Sequence, residues 1–594
     1  MILLIANREW RIGGSSSAAG PSPITGRYSL SQTEAIHTNR IVIAILLFAS
    51  VCALAQMPAD LESDARTLFN EQRWEELASL LGSAPARSTD ADYFYGMALA
   101  HLGRWREAEA VLRSGLAKAS SDKRFPIELA GVSFRLKDNA SAKRYLLRAL
   151  VLDPRDSYAN EFLATVYFLE GNAEAALKYW NRVDKPVIST VRNDPRPRLK
   201  PVLLDRAFPF APGDLLSLYD YRTAQARLDF LEIFPRHRLE LAPQSDGRFD
   251  VTFRNTERNG FGNSKIETLV NLLRRLPFQT ITPEYYNLNR SAANIISLYR
   301  FDAQKRRLFA EFSAPRQRDP KWRYAFTADL RKEIWELAPS PEISFQNFSL
   351  ESVKADASLT RTFDPDWRWT TAVQFSDRRF LNVAWDSGVL TDLLHGGRGL
   401  KYIAELTGTP LRIPERRFTT TTAAHFSTGK FWSAPTSSSF ATITGDIRSE
   451  WLPQARGDDY AVATQFRAGR TFGSVPFDEL FTLGVERDNN LWLRGHSGTR
   501  NGRKGSAPLG RSYVLFNSEL NKHVHEGGFF RIKAGPFLDV GRMYDSSPVL
   551  GSKEWLVDIG IQLKFTVFGA AGITLSYGRG LVDHRSAFYA SPLR

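Results

Sequence analysis

The stretch WLVDIGIQLKFTV, Trp555 to Val567, decides the fold class. Its odd positions are all apolar: Trp555, Val557, Ile559, Ile561, Leu563, Phe565 and Val567. Its even positions hold Leu556, Asp558, Gly560, Gln562, Lys564 and Thr566. A period of two over thirteen residues describes a strand with one apolar and one polar face. That length exceeds the usual soluble strand and suits a tilted strand crossing a bilayer. Similar segments recur at 323–335, 352–363, 367–380, 399–409, 440–452 and 460–472, with turn-like stretches between them. So many long strands in an open soluble sheet would leave edges to protect, and closure removes them. At roughly 20 residues per strand and connection, residues 260–594 give about 16 strands, an even number in the range of outer-membrane barrels. A large soluble sandwich or propeller is the competing reading. The 12% aromatic content, with Trp and Tyr near strand ends, fits the interfacial girdles of a barrel better.

The chain upstream belongs to a multidomain protein of 594 residues with 24% charged and 43% hydrophobic side chains, a composition that excludes disorder. A net charge of +14 admits nucleic acid, anionic membrane or acidic partners. No dense basic block or zinc-finger spacing is present, so no nucleic-acid partner is expected. Arg40, the apolar run Ile41 to Val51 and Ala53-Leu54-Ala55 form a signal peptide over 40–55. Residues 1–39 read as a long leader or as sequence upstream of the true start. The only cysteine, Cys52, falls in that segment after Val51, so neither a lipid anchor nor disulfides nor thiolate metal sites are expected. No later run is apolar enough for a spanning helix.

Residues 58–186 repeat with a period of 34. Gly96, Ala130 and Ala164 share one register, as do Ala108, Ala142 and Ala176, and Leu112, Leu146 and Trp180. Small residues recur where paired helices must approach and large ones where they must fill space. This resembles the tetratricopeptide repeat, with a degenerate first copy from Phe69 that is three residues out of register. Such a solenoid presents a concave face for a protein segment, or serves as a spacer. Residues 187–200 carry Pro195 and Pro197 and read as a linker. Residues 201–258 then read as strand, helix, strand, strand. Leu215 to Leu231 has helical spacing, and alternation at Leu239, Leu241, Phe249, Val251 and Phe253 flanks the turn Ser245-Asp246-Gly247. With PFAPGDLLS (209–217), Phe234 and DVTFRNTER (250–258), this segment resembles a polypeptide-transport-associated (POTRA) domain.

Strand parity also organises the last hundred residues. In FFRIKAGPFLDVGR the alternation sets Phe530, Ile532, Ala534, Leu538 and Val540 on one face, with Arg531, Lys533, Gly535, Asp539 and Gly541 on the other. Phe537 is an apolar exception on the polar face. In YVLFNSEL, Asn517 and Glu519 oppose Val514, Phe516 and Leu520. If the apolar faces meet lipid, Glu519 and Asp539 point into the lumen. Arg494 precedes them in LWLRGHSG, on a glycine-bearing loop, and arginine binds carboxylates through planar, bidentate contacts.

Leu493-Arg494-Gly495-His496, Asn517-Ser518-Glu519-Leu520 and Phe537-Leu538-Asp539-Val540-Gly541 together resemble the motifs of the BamA, TamA and two-partner-secretion superfamily. The resemblance runs from about Val202 onward and is densest over Leu483 to Gly580. It implies POTRA domains before a 16-stranded barrel and a lumenal loop whose arginine, Arg494, meets Asp539 and Glu519. Phe537 and Gly541 belong to the strand motif. His496 stands where that family carries an aromatic residue, only one POTRA-like unit is visible, and helical repeats precede it. The last clear strand, GITLSYG (572–578), would place an insertion signal inside the chain.

The resemblance implies an outer-membrane barrel that assembles, inserts or translocates polypeptides. Its partners would be outer-membrane lipid and a polypeptide client or periplasmic protein, and its N-terminal domains would lie in the periplasm. The alternative is a structural or diffusion-porin barrel with a scaffolding arm. No catalytic role and no cofactor or metal is expected. His101, His237, His395 and His425 are scattered, and His523 and His525, which could share one face of a strand, lack a third ligand.

Overall fold

The structure, a computed structural model, describes residues 59–262, 268–269, 272–337, 346–383, 393–433, 436–454, 459–527, 530–547, 550–567 and 571–592. The readings of 1–39 and 40–55, and Cys52, lie outside the described residues. Two compact units are present. The first is mainly the helical region up to Leu169 with Ala176–Lys185, and the second holds most of the remainder.

The N-terminal region is built of helix pairs: α1 (Ala59–Asn70) with α2 (Trp74–Gly82), α3 (Thr89–His101) with α4 (Trp105–Lys118), α5 (Arg124–Arg135) with α6 (Asn139–Leu152), and α7 (Ser157–Leu169) with α8 (Ala173–Trp180). Two further helices, α9 (Pro201–Ala207) and α10 (Leu218–Phe230), belong to the second unit, making ten among the described residues. The turns between paired helices repeat one backbone conformation. Gly103, Lys137 and Gly171 have φ of 74°, 63° and 74°. Gln72, with φ 58°, does the same for the first pair, 31 residues ahead of Gly103 rather than 34. The offset of three residues in the first copy is therefore an offset of the turn itself. Close helix approach accounts for the small residues. A Cβ on Gly96 would lie 2.5 Å from Leu112, and one on Gly115 would lie 2.2 Å from Phe125. Caps are local: Ser88 accepts from the amide of Ala91 (3.2 Å) and Asp138 from that of Ser141 (2.9 Å). Asp92 and Glu128 are both buried here, and Asp92 is paired with Arg87 and Lys118. Glu128 meets the Tyr93 hydroxyl at 3.4 Å, and burial pushes its carboxyl up to about 8.

In the second unit a three-stranded sheet comes first: β1 (Ile188–Asp194), β2 (Arg236–Pro243) and β3 (Phe249–Thr256), in the order β1-β3-β2. The linker reading of 187–200 needs correction. Ile188–Asp194 is a strand paired in parallel with β3, and the prolines that suggested a linker follow it. Val202-Leu203-Leu204 is conversely not a strand but part of α9, which starts at Pro201, the position where proline suits a helix. The order is thus strand, two helices, hairpin, with α10 capped by Ser217 and Gly247 in a left-handed conformation (φ 82°) at the hairpin turn.

The rest is a large antiparallel sheet of 18 strands. It comprises β4 (Thr280–Ile281), β5 (Glu284–Leu288), β6 (Ala293–Phe301), β7 (Lys305–Pro315), β8 (Trp322–Leu337), β9 (Gln346–Thr362), β10 (Trp367–Leu381), β11 (Gly397–Ile413), β12 (Phe418–Ser433), β13 (Thr436–Trp451) and β14 (Tyr460–Gly473). After the insertion carrying β15 (Phe481–Thr482), β16 (Thr499–Arg500), β17 (Arg503–Lys504) and β18 (Leu509–Gly510), it continues with β19 (Ser512–Gly527), β20 (Phe530–Tyr544), β21 (Leu556–Val567), β22 (Ala571–Gly580) and β23 (Ser586–Pro592). β15 and β18 form a separate two-stranded sheet. Three of the 18 are two-residue pieces: β4 pairs with β6 as β5 does, and β16 and β17 belong to the insertion. Fifteen longer strands remain among the described residues, against about 16 expected from length.

The sheet is apolar outside and polar inside, the reverse of a soluble β-protein. On β21, Ile559, Ile561 and Leu563 are 44%, 63% and 37% exposed, whereas Asp558 and Gln562 are 0% and 2% exposed. The pattern continues across neighbouring strands, where Val373, Leu400, Phe426, Ile443 and Phe466 are all exposed. A belt of this kind is unstable in water and matched to hydrocarbon.

Candidate functional site

β14 and β19 pair directly, from Tyr460 opposite Lys522 to Arg470 opposite Ser512. Residues 474–511 are therefore an excursion from a continuous sheet. They carry a hairpin of their own, β16–β17, closed by Asn501-Gly502 with φ of 48° and 81°, the two left-handed positions of a two-residue turn. Lys504 beyond that turn makes a parallel bridge to Trp335 of β8. The loop thus leaves the sheet at β14 and reaches a distant strand. Near its departure, Leu483, Leu491 and Leu493 pack with Tyr513, Leu515, Met543 and Leu556 of the wall. The apolar residues of LWL are seated there. Gly541 makes room: a Cβ on it would lie 3.1 Å from both Leu483 and Leu515.

A few residues further along the strands the wall turns acidic. Asp539 of β20 and Asp558 of β21 are directly opposite each other, both with no exposed surface. Like charges in that register repel. The loop supplies the compensation with consecutive residues. Arg494, 3% exposed, forks onto Asp539: Nε donates to Oδ2 at 2.8 Å and Nη2 to Oδ1 at 2.6 Å. Its backbone amide donates to Oδ2 at 2.9 Å. Nη1 donates to Glu519 Oε1 at 2.6 Å and to Gln562 Oε1 at 3.1 Å. The amide of Gly495 donates to Asp558. His496 lies between two carboxylates, with Nδ1 3.1 Å from Asp558 and Nε2 2.8 Å from Asp583. Both ring nitrogens face acceptors, which suits the imidazolium, the form in which both donate. The imidazole thus bridges two acids, a contact that a phenyl ring cannot make.

Phe537, the exception to the alternation, has a place in this geometry. Its ring faces inward, 4% exposed, and the Arg494 guanidinium lies 3.8 Å above its centroid. Gly560 provides the space, since a Cβ there would lie 2.5 Å from the Phe537 ring. Gly495 is required by its neighbour, because a Cβ would lie 2.7 Å from the Asp558 carboxylate. Of the residues singled out in the sequence, Arg494, Gly495, Glu519, Phe537 and Asp539 come together here, and Gly541 lies two residues along β20 in the apolar cluster. Parity set Asp558, Gln562 and Lys564 on the polar face without connecting them to the loop. Here Lys564 donates to Glu519 at 2.8 Å, Gln562 bridges Arg494 and Glu519, and Asn517 donates to Asp539 at 2.6 Å. Asp583 and Gly578 carried no signal at all. A Cβ on Gly578 would lie 2.4 Å from the carbonyl oxygen of Arg494.

The other half of the loop is acidic and meets cations. Asp488 accepts from Arg300 (2.6 Å) and Arg307 (2.7 Å), and Glu486 from Lys305 (3.1 Å). Asp478 and Glu479 pair with Lys354, Arg378 and Lys401. Lys504 reaches Glu333 at 2.6 Å.

His523 and His525 do not share a face. The register shifts between them, leaving Val524 as an extra residue, so that His523 lies opposite Lys533 and His525 opposite Ile532 on the other side. Among the described residues no group of three His, Cys, Asp or Glu side chains is placed to hold a metal ion, and no helix is long and apolar enough to cross a membrane.

No family model matches the chain, and no curated protein matches it. Among solved structures, CdiB from Escherichia coli is similar over 68% of this chain and 76% of its own, at 14% identity and a TM-score of 0.46. BamA from Haemophilus ducreyi lacking POTRA domains 1–3 is similar over 69% and 85%, at 12% identity and a TM-score of 0.39. MamA from Desulfovibrio magneticus RS-1 is similar over 21% of this chain and 71% of its own, at 18% identity and a TM-score of 0.20.

Proposed function

We propose that this chain is an outer-membrane β-barrel of the BamA, TamA and two-partner-secretion kind, which assembles, inserts or translocates polypeptides past a releasable lumenal loop. The observation that carries this reading is the ionic seat of residues 474–511 on the polar face of the sheet. In this reading the sheet closes on itself, its apolar face meets outer-membrane lipid, and Arg494, Gly495, Glu519 and Asp539 hold the loop in the lumen. Phe537 and Gly541 shape the wall beneath it. The helix pairs act as tetratricopeptide repeats and residues 188–256 as a POTRA-like domain, both in the periplasm. They receive a client or partner protein by groove binding or strand addition. A plain diffusion porin is disfavoured, because it has no use for a loop with this many partners across its interior.

Two measurements test the proposal. The purified protein should show heat-modifiable migration in detergent gels, as folded outer-membrane barrels do. Photo-crosslinkers placed between Tyr93 and Asn181, and between Pro209 and Phe253, should trap unfolded outer-membrane or exported polypeptides in cells. Migration unaffected by heating would overturn the barrel. Trapping of no polypeptide from either region would overturn the transport function.

A further inference from the structure

The cations that meet the acidic half of the loop lie on five strands of one wall, on both sides of β8: Arg300 on β6, Lys305 and Arg307 on β7, Lys354 on β9, Arg378 on β10 and Lys401 on β11. All six side chains are mostly buried by the loop and the wall. Arg300 and Arg307 are directly opposed across β6 and β7, an arrangement that costs energy without an anion between them. Among their described ion pairs, only Arg307–Asp329 is made with the wall itself. The remaining acids, Asp478, Glu479, Glu486 and Asp488, all come from the loop.

We propose that this basic wall is a binding track for acidic polypeptide segments, and that the four loop carboxylates occupy it as stand-ins while the lumen is closed. The proposal rests on the reading that the loop leaves the lumen. If the loop withdraws alone, five of the six cations lose every ion pair described for them, and of those five only Lys305 and Lys354 keep a wall acid opposite, Glu333 and Asp329 of β8. If it withdraws in exchange for a segment carrying Asp or Glu, each cation passes from one carboxylate to another. Removing one partner of a buried pair is expensive, whereas replacing it is not. An acidic segment therefore lowers the cost of displacing the loop, and by linkage displacement of the loop raises affinity for the segment. The loop shows the spacing that works: one adjacent acidic pair, 478–479, and one alternating pair, 486 and 488, on a linear chain. The opposite wall carries Glu519, Asp539 and Asp558 and cannot substitute, so recognition is confined to one side of the interior.

The test uses the full chain in planar bilayers, with Arg494→Ala to open the loop. The probes are a Glu-rich peptide of about 20 residues and a Gln-rich peptide of the same length and hydropathy, at about 0.05 and 0.5 M salt. The Glu-rich peptide should block the current at a concentration at least about tenfold lower than the Gln-rich one. The difference should shrink at high salt, and Lys354→Gln with Lys401→Gln should weaken the Glu-rich block at least about fivefold. If Arg494→Ala does not insert, tryptic cleavage of the wild-type loop in the presence of each peptide makes the same comparison, with faster cleavage expected only for the Glu-rich one. Equal block by both peptides, or a Glu-rich block indifferent to the lysine substitutions, overturns the track. Inserted Arg494→Ala protein with wild-type conductance and wild-type tryptic cleavage overturns the releasable loop instead, so the two failures are distinguishable.

Discussion

Replacing Arg494 by alanine removes two bonds to Asp539, one to Glu519, one to Gln562 and the contact with the Phe537 ring. It leaves the buried carboxylate of Asp539 without its cation and the part-buried one of Glu519 with one cation fewer. Breaking a buried ion pair by removing one partner costs about 3–5 kcal/mol. The wall softens the loss here. Asp539 keeps the Asn517 amide at 2.6 Å, and Glu519 keeps Lys564 at 2.8 Å. We therefore take the lower end, about 3 kcal/mol, which at about 1.4 kcal/mol per decade raises the open population of the loop about 150-fold. The hairpin 499–504 offers trypsin Arg500, Arg503 and Lys504. When opening and closing are fast relative to cleavage, the cleavage rate follows the open population. Limited trypsinolysis in detergent should accordingly run about 150-fold faster in Arg494→Ala than in wild type. Heat-modifiable migration must be unchanged, which shows that the barrel itself has folded. Arg494→Lys keeps the charge but not the fork and should fall between the two. A folded Arg494→Ala protein cleaved less than about threefold faster than wild type would refute the assignment of this arginine as the holding contact.

Three further outcomes follow from the same geometry. In a double-mutant cycle, Arg494→Ala and Asp539→Asn should be non-additive in tryptic rate by about 1–3 kcal/mol, and additivity would show that the two do not act together. Gly495→Ala presses a methyl against the Asp558 carboxylate, which has no exposed surface and cannot swing into solvent. Overpacking of about 1–3 kcal/mol should speed loop cleavage about 5- to 150-fold, and a wild-type rate would refute the close approach. In the helical unit the folded carboxyl of Glu128 is raised to about 8, above its unfolded value of 4.5. The folded state then holds the extra proton, so its stabilising effect is complete below 4.5 and is lost as pH rises toward 8, at up to about 1.4 kcal/mol per pH unit. Urea midpoints of the helical signal should fall from pH 5 to pH 7.5 in wild type and stay nearly level in Glu128→Gln. A wild-type midpoint that does not fall would refute the buried neutral acid.

The strands of the large sheet are legible wherever one face is uniformly apolar. The alternation of WLVDIGIQLKFTV spans 555–567 and the strand runs from Leu556 to Val567, and that of 367–380 matches a strand from Trp367 to Leu381. β12 shows no such alternation, because FTTTTAAHFSTGKFWS opens on threonines that suit both faces. β1 is masked for another reason: Pro195 and Pro197 suggest a linker, though they stand beyond the strand's end. At the site, parity was sufficient to place Glu519 and Asp539 inside, since each lies on a regular alternating strand. It could not link Asp558 to Gly495 and His496, because that contact depends on the register of β20 with β21 and on where the loop comes to rest. The acidic half of the loop was least legible of all. Asp488 meets Arg300 and Arg307 across more than 180 positions of sequence, and nothing local marks them as partners.

The placing of apolar and ionic contacts along the loop bears on whether it is a plug or a gate. The apolar cluster of Leu483, Leu491 and Leu493 is near the point where the loop leaves β14 and rejoins β19. Beyond it, Phe477, Leu480 and Leu509 form a second apolar seat on Trp335, Leu337, Phe348 and Leu350 of β8 and β9, and the contacts between the two clusters are ionic. A permanent plug gains most from apolar contacts, since burial of hydrocarbon is favourable with no pairing requirement. Buried ion pairs contribute little net energy against their desolvation, yet they fix one position sharply, and their members are readily rehydrated when a lumen floods. The loop is therefore anchored at two apolar patches and exchangeable along the ionic stretches between them. The directly opposed pairs Asp539–Asp558 and Arg300–Arg307 add to this bias, because each wall repels itself when the loop is gone. The closed state is thereby made specific, and the open state is left in need of a charged occupant. That is the energetic arrangement expected of a loop that yields its place to a passing chain rather than of one that seals a channel for good.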